Sequence, residues 1–399
     1  MKDFRDWRRR KMTPRWSRRR HGTFRLRRLA PAVWLAAPLL AALLLPLAVI
    51  PLRRDHTAPP AVPKATATAK AHPAAQNLPA APDLPASAPA PQPKISVYLS
   101  RSGQIESLPL EDYVTGVIAA EMPADFELEA LKAQAVAART FILRRLVAGD
   151  VSGVPVPGAI VTDTVSHQAY VSKATLERQW ERGGKSAALA KLRRAVKETR
   201  GVIMTYKGEP ITASFFASSG GYTENSEEYW SAVVPYLRSV ASPWEQDITP
   251  NFKVKYTFST AELLSKLGVS TALKKDSIPV SGESSQRTKT QSVSASSSKS
   301  SFIKILSLTA GHHIKEISIG GVVFTGREVR EKLQLRSSQF TWRIQGSQIV
   351  ITTYGNGHSV GMSQWGANGM ARDGKTATQI LKHYYSGVSF NQVSTLLKK

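Results

Sequence analysis

One stretch constrains this chain more than any other: a helical hydrophobic stripe that runs into a carboxylate and is then cut by a proline. Leu110, Val114, Val117, Ile118 and Glu121 fall at i, i+4, i+7, i+8 and i+11, so one helix face carries four apolar side chains and a carboxyl group. Pro123 cannot continue the helix and disfavours αR geometry at Met122, which leaves Glu121 at the C-terminal edge. There the negative end of the helix dipole and the apolar neighbours both disfavour the ionised form, the condition a general acid needs near neutral pH.

A second helix follows, with Asp125 as its expected N-cap and Leu128, Leu131, Ala135, Ala138, Ile142 and Leu146 at steps of three and four. Lys132 and Arg139, seven residues apart, project from one side of it, so two helices broken by a proline can face one carboxylate with two cations. The same pattern also describes a glutamate at a helix end beside a solvated basic face.

Three blocks then carry a resemblance. Glu121-Met122-Pro123 with Glu129 to Thr140, Ser218-Ser219-Gly220-Gly221-Tyr222-Thr223-Glu224-Asn225, and Tyr354 to Ala367 (YGNGHSVGMSQWGA) are similar, in order and spacing, to the motifs of the stage II sporulation protein D family. They cover about residues 95–390. That family includes cell-wall lytic transglycosylases and amidase enhancers. The resemblance implies Glu121 as the catalytic residue, with Lys132, Arg139, Ser218, Ser219, Tyr222, His358 and Trp365 in supporting or substrate-binding roles.

Ahead of these blocks the chain is not globular. Residues 1–28 hold thirteen Lys and Arg against two Asp, and residues 29–52 hold no charged residue. Twenty-four uncharged residues exceed the roughly 20 that span a bilayer, and no clean A-x-A site precedes Arg53. The expectation is a retained transmembrane helix with a cytoplasmic basic head and an extracytoplasmic remainder. Trp7 and Trp16 among the arginines also suit a nucleic-acid arm, but a juxtamembrane basic segment explains topology as well, and no nucleic acid is expected as partner. Residues 53–94 form a linker with ten prolines, expected to be extended at about 3.1 Å per residue.

The domain expected over 95–391 is mixed α+β, helices packed with antiparallel sheet, followed by a short tail (392–399). It opens with ISVYL, a turn at Arg101-Ser102-Gly103 and the first helix. Leu189, Leu192 and Val196 mark another helix, and VIMTY with ITASFF reads as a hairpin delivering Ser218 to Tyr222 at its end. Ser259-Thr260-Ala261-Glu262 is a capping box; residues 276–301, rich in Ser and Lys, read as a disordered insertion; Thr376 caps a last helix. Strand patterns recur at 302–308, 316–319, 321–324, 340–344 and 349–354.

The chain has no cysteine, which excludes disulfides and thiolate zinc sites and departs from family members with a cysteine-bound metal. His167 and His358 lack a third ligand, so no metal and no cofactor is expected. Gly355-Asn356-Gly357-His358 lacks the Lys-Ser/Thr ending of a phosphate loop, which argues against nucleotide binding. Of the net charge of +25, +14 lies beyond the basic head, which suits an anionic partner such as peptidoglycan or teichoic acid.

Hydrolysis of a glycosidic bond ordinarily takes two carboxylates. In a lytic transglycosylase the substrate's own 6-hydroxyl is the nucleophile, so Glu121 alone suffices as acid and then base. The resemblance thus implies septal peptidoglycan cleavage during engulfment. The partners expected with it are an amidase similar to stage II sporulation protein P and a membrane protein similar to stage II sporulation protein M. The alternatives are a non-catalytic amidase enhancer and an engulfment-complex scaffold.

Overall fold

The computed structural model describes residues 92–269 and 302–396. The basic head, the uncharged run, nearly all of the linker and the insertion at 276–301 lie outside the described residues. Among the described residues no helix is long and apolar enough to cross a membrane.

Strand β1 (Lys94–Leu99) pairs antiparallel with β2 (Gln104–Pro109), which feeds directly into helix α1 (Leu110–Glu121). Leu110, Val114, Val117 and Ile118 are fully buried, as the stripe requires. Met122 leaves the helix in extended geometry (φ −127°, ψ 142°), the conformation imposed by the following proline. Helix α2 (Leu128–Ala148) is not capped by Asp125; the N-cap position falls at Glu127, whose N–H donates instead to Asn368 Oδ1 at 2.8 Å. The reason is the intervening turn, in which the N–H of buried Phe126 bonds the Pro123 carbonyl and uses up Asp125 as a turn residue.

Thirteen of the 21 residues of α2 are buried, five of them alanines, because the helix is packed on several sides rather than one. A single apolar face is therefore too modest a description of it. The chain returns through β3 (Val161–Thr162), parallel to β1, then α3 (Ser186–Glu198), which packs on α1 and α2. Strand β4 (Val202–Tyr206) turns back at once into β5 (Glu209–Pro210), residues expected as the connection; of the expected second strand ITASFF, Ile211 still bonds Met204, while β6 (Phe215–Phe216) joins another sheet.

A second core then follows. Strand β7 (Lys253–Ser259) leads into α4 (Thr260–Leu267), whose N-cap Ser259 accepts from the Glu262 N–H. Strands β8 (Ile303–Leu308), β9 (Ile314–Ile319) and β10 (Val322–Thr325) form one antiparallel sheet; after α5 (Gly326–Leu333), β11 (Phe340–Gln345) and β12 (Gln348–Tyr354) join β7 in another. Leu263, Leu267, Ile317, Val329 and Ile349 are its centre.

The chain re-enters the first core at β13 (Met362–Ser363), parallel to β6, followed by α6 (Gln364–Arg372), α7 (Ala377–Tyr384) and β14 (Ser389–Gln392), which pairs with β4. Thr376 caps α7 through a full capping box with Gln379. The architecture is mixed α+β, with one correction to the expected antiparallel sheet: β1–β3 and β6–β13 are parallel. Both pairs join segments separated by long crossovers, α1 with α2 in one case and the whole second core in the other, and a crossover is what parallel pairing needs.

Candidate functional site

Glu121 sits where α1 ends, partly buried, with both carboxylate oxygens engaged by elements remote in sequence. Oε1 accepts the backbone N–H of Ala169 at 2.8 Å, and Oε2 faces Gln364 Nε2 at 3.5 Å. Burial pushes its pKa above the usual carboxylate range; the two donors oppose that shift without cancelling it. A carboxyl group whose pKa is raised and that still borders solvent is suited to general acid work.

The Ala169 donor is held in place by the loop that carries it. Val171 N–H bonds the Gly116 carbonyl, Tyr170 stacks on Tyr113 at 5.5 Å, and the Tyr113 hydroxyl donates to Gln168 Oε1. A Cβ at Gly116 would lie 2.2 Å from the Tyr170 ring and 2.6 Å from the Val171 carbonyl, so this close approach requires glycine on that face of α1.

The first and third motifs meet here, and the second is tied to the third behind them. Gln364 opens α6, whose N-cap Ser363 accepts the Gly366 N–H. Trp365 packs edge-on against Phe126 in the turn after Glu121, at 4.6 Å, and its N–H bonds the Ala217 carbonyl. Ser218 exchanges two backbone hydrogen bonds with Asn356. Buried Ser219 donates its hydroxyl to Glu245 Oε1 at 2.7 Å, so that hydroxyl serves the interior.

Tyr222 is 39% exposed, stands against His312 at 4.5 Å, and borders a cleft of about 210 Å³ lined by Gly220, Gly221, Ala241, Pro243 and Phe252. His358 lies among Phe216, Tyr229 and Trp230, each ring 5.4–5.5 Å away, and its Nδ1 accepts from Val360 N–H. Burial lowers its pKa to about 4, so it is a neutral, packed imidazole. His167 bonds Thr162 and Ser152 instead, and among the described residues no group of three His, Asp or Glu is arranged to hold an ion.

Two expected neighbours of Glu121 are turned elsewhere. Lys132 pairs with Glu129 at 2.8 Å and Glu198 at 3.2 Å, and buried Arg139 pairs with Glu111 while donating to the Val202 carbonyl. They do share one side of α2, but that side faces α3 and the first turn of α1. The helical repeat fixes which side a residue takes; which neighbour lies there depends on how α1 and α3 pack. An adjoining cleft of about 370 Å³, lined by Glu111, Lys173, Arg193, Lys197 and Arg200, likewise opens at the start of α1, away from Glu121.

Sequence reasoning missed Gln364, the Ala169 N–H and the buried carboxyl group of Glu245; Glu224, a second buried carboxyl, lies inside the quoted second motif. Backbone donors leave no signature in a sequence, whereas Gln364 does lie inside the quoted third motif. Burial raises Glu224 and Glu245 each to about 7. Glu224 Oε1 accepts from Thr309 Oγ1 and lies 3.7 Å from His313 Nε2, tying the second motif to the second core.

A family model described as stage II sporulation protein matches residues 98–206. Stage II sporulation protein D of Bacillus subtilis (strain 168) is 44% identical over 305 residues, spanning 76% of this chain and 81% of that protein. The Bacillus amyloliquefaciens protein of the same name is also 44% identical, over 306 residues. An amidase enhancer of Bacillus subtilis is 34% identical over 306 residues, 69% of this chain but 39% of the enhancer.

Proposed function

We propose, since the chain belongs to the stage II sporulation protein D family, that it is a peptidoglycan lytic transglycosylase acting in sporulation. It would cleave glycan strands between MurNAc and GlcNAc and leave 1,6-anhydromuramic acid ends. The observation that supports this most is the environment of Glu121: a first-motif carboxyl group with raised pKa that accepts from the Ala169 N–H and faces Gln364 of the third motif. Glu121 protonates the glycosidic oxygen as its bond to the MurNAc anomeric carbon breaks, so the GlcNAc leaves with a free hydroxyl and the ring passes through an oxocarbenium-like state; the carboxylate then takes the proton of the 6-hydroxyl as that oxygen closes on the anomeric carbon. Intramolecular attack needs no second carboxylate at the anomeric centre.

Lys132 and Arg139 act in this reading through the scaffold, by fixing α2 against α1 and α3. Tyr222 and Trp365 offer ring faces for sugars. The uncharged run at 29–52 behind the basic head supports a single-pass anchor, with the domain extracytoplasmic on the septal or engulfing membrane and linker-borne reach into the wall. Its partners in that setting are the glycan, an amidase and a membrane protein of the same engulfment machinery.

The test is mass spectrometry of purified glycan digested by the protein. Anhydro ends support the proposal, and reducing ends, one water heavier, make it a hydrolase. The similarity to an amidase enhancer supports the second reading, a glycan-binding enhancer. No cleavage, with stimulation of an added amidase that survives Glu121→Gln, would establish that reading. Protease applied to intact protoplasts tests the anchor: it should remove everything beyond Arg53 and spare the head.

A further inference from the structure

We propose that Glu245 is a positioning residue for this site, a buried staple that fixes the Ser219 loop against the start of α6 and thereby sets the donor that Gln364 presents to Glu121. This rests on the catalytic reading of Glu121. Glu245 is fully buried in a 3-10 turn (Pro243–Glu245), and its carboxylate gathers donors from two sides. The Ser219 N–H donates to Oε2 at 2.5 Å, the Ser219 hydroxyl to Oε1 at 2.7 Å and the Ser242 hydroxyl to Oε1 at 2.5 Å. Ser242 is already donating, so the Tyr384 hydroxyl from α7 donates to it, at 2.8 Å. The hydroxyl of Ser363, the N-cap of α6, also faces the carboxylate.

Donors alone surround the group, which is the environment of an acceptor-only carboxylate. A Cβ on Gly366 would meet Tyr384 Oη at 2.1 Å, Ser242 Oγ at 2.4 Å and Glu245 Oε1 at 2.9 Å, so the first turn of α6 lies directly on this network. Gln364 is two residues back along the same turn. The groups facing Glu245 are Ser219, Ser242, Ser363 and Tyr384; only Tyr384 is titratable, and burial holds its pKa well above the usual phenol value. Burial raises Glu245 itself to about 7 although these donors oppose the rise, so it is an acceptor-only carboxylate above that pH, where the exchange comparison is made.

The experiment compares the full-length wild type with Glu245→Gln by amide hydrogen exchange and by the pH dependence of glycan cleavage. The amide side chain brings two hydrogens where only acceptors fit, so exchange should quicken roughly 10- to 100-fold at Ser219–Gly221 and Gly366–Ala367, and not elsewhere. Loosening Gln364 removes a donor that lowers the Glu121 pKa, so the basic limb of the pH–rate profile should move to higher pH. If exchange rises evenly along the chain, or not at all, and the limb stays in place, Glu245 merely stabilises the fold and the proposal fails. Should Glu245→Gln not fold, Ser242→Ala removes one donor and should quicken the same two segments about 3- to 10-fold; no local change there overturns the idea equally. A wild type that cleaves no glycan would sink the transglycosylase reading, while the exchange comparison would still decide the staple.

Discussion

At the scale of single residues, the site depends on where each carboxyl group is and what points at it. Glu121→Gln preserves shape but cannot cycle a proton, so cleavage should fall by roughly 10² to 10⁴ or to background while glycan binding persists, as product analysis and pull-down on glycan would register. Arg139 carries the opposite expectation. Its guanidinium is fully buried on Glu111, and Arg139→Ala leaves that carboxylate without its partner, costing about 3–5 kcal/mol of stability. Chemical denaturation should report that loss, and the pH–rate profile of whatever folded protein remains should keep the wild-type position, because Arg139 does not touch Glu121. A moved profile at unchanged stability would return Arg139 to the catalytic group. The apolar spacing around Glu121 was legible because burial on a helix is periodic; the partner of Arg139 was not, because it comes from 28 residues away on a different helix.

Elements decide how well these residues are held. The loop at Gln168–Val171 lies on α1 only because Gly116 has no side chain. Gly116→Ala should push Tyr170 outward, costing about 1–3 kcal/mol in thermal unfolding. It should also withdraw the Ala169 N–H from Glu121, raising the Glu121 pKa further and moving the basic limb of activity to higher pH. Unchanged limb and stability together would show that the loop is not fixed by this contact. Three helix boundaries were readable from a local device: Pro123 for α1, Ser259 for α4, Thr376 for α7. Strand β7 and helices α5 and α6 escaped notice. Of β7 Phe258 alone is buried, so no alternation marks it, and α6 is hidden in a glycine-rich motif that reads as a loop until Ser363 caps it.

Across the whole molecule, four buried carboxyl and imidazole groups among the described residues, Glu224, Glu245, His313 and His358, have large pKa shifts and couple stability to pH. Glu224 and Glu245 have folded pKa values near 7, raised from 4.5, so each favours folding fully below about 4.5 and loses that contribution as pH rises toward 7, up to a few kcal/mol apiece. Burial lowers His313 to about 3 and His358 to about 4, so their contributions are present above about 6.5 and lost as pH falls from there. Unfolding free energy measured from pH 8 downward should therefore rise through 7 as the glutamates protonate, then level off and fall as His313 and His358 resist their protons. Glu224→Gln combined with Glu245→Gln should flatten the first rise; a slope retained in that double variant would place the titration elsewhere. What the sequence determined by itself was local or periodic: the proline-broken helices, the caps, the strand alternation, the order of the three motifs and the place of Glu121 at the end of an apolar stripe. Only the tertiary structure decided that the cations of α2 turn toward Glu111 and Glu198, that β6 and β13 pair in parallel, and that Ala169, Gln364 and Glu245 surround the site. Those depend on contacts between segments 26 to 243 residues apart, where side-chain periodicity fixes a direction but packing alone supplies the partner.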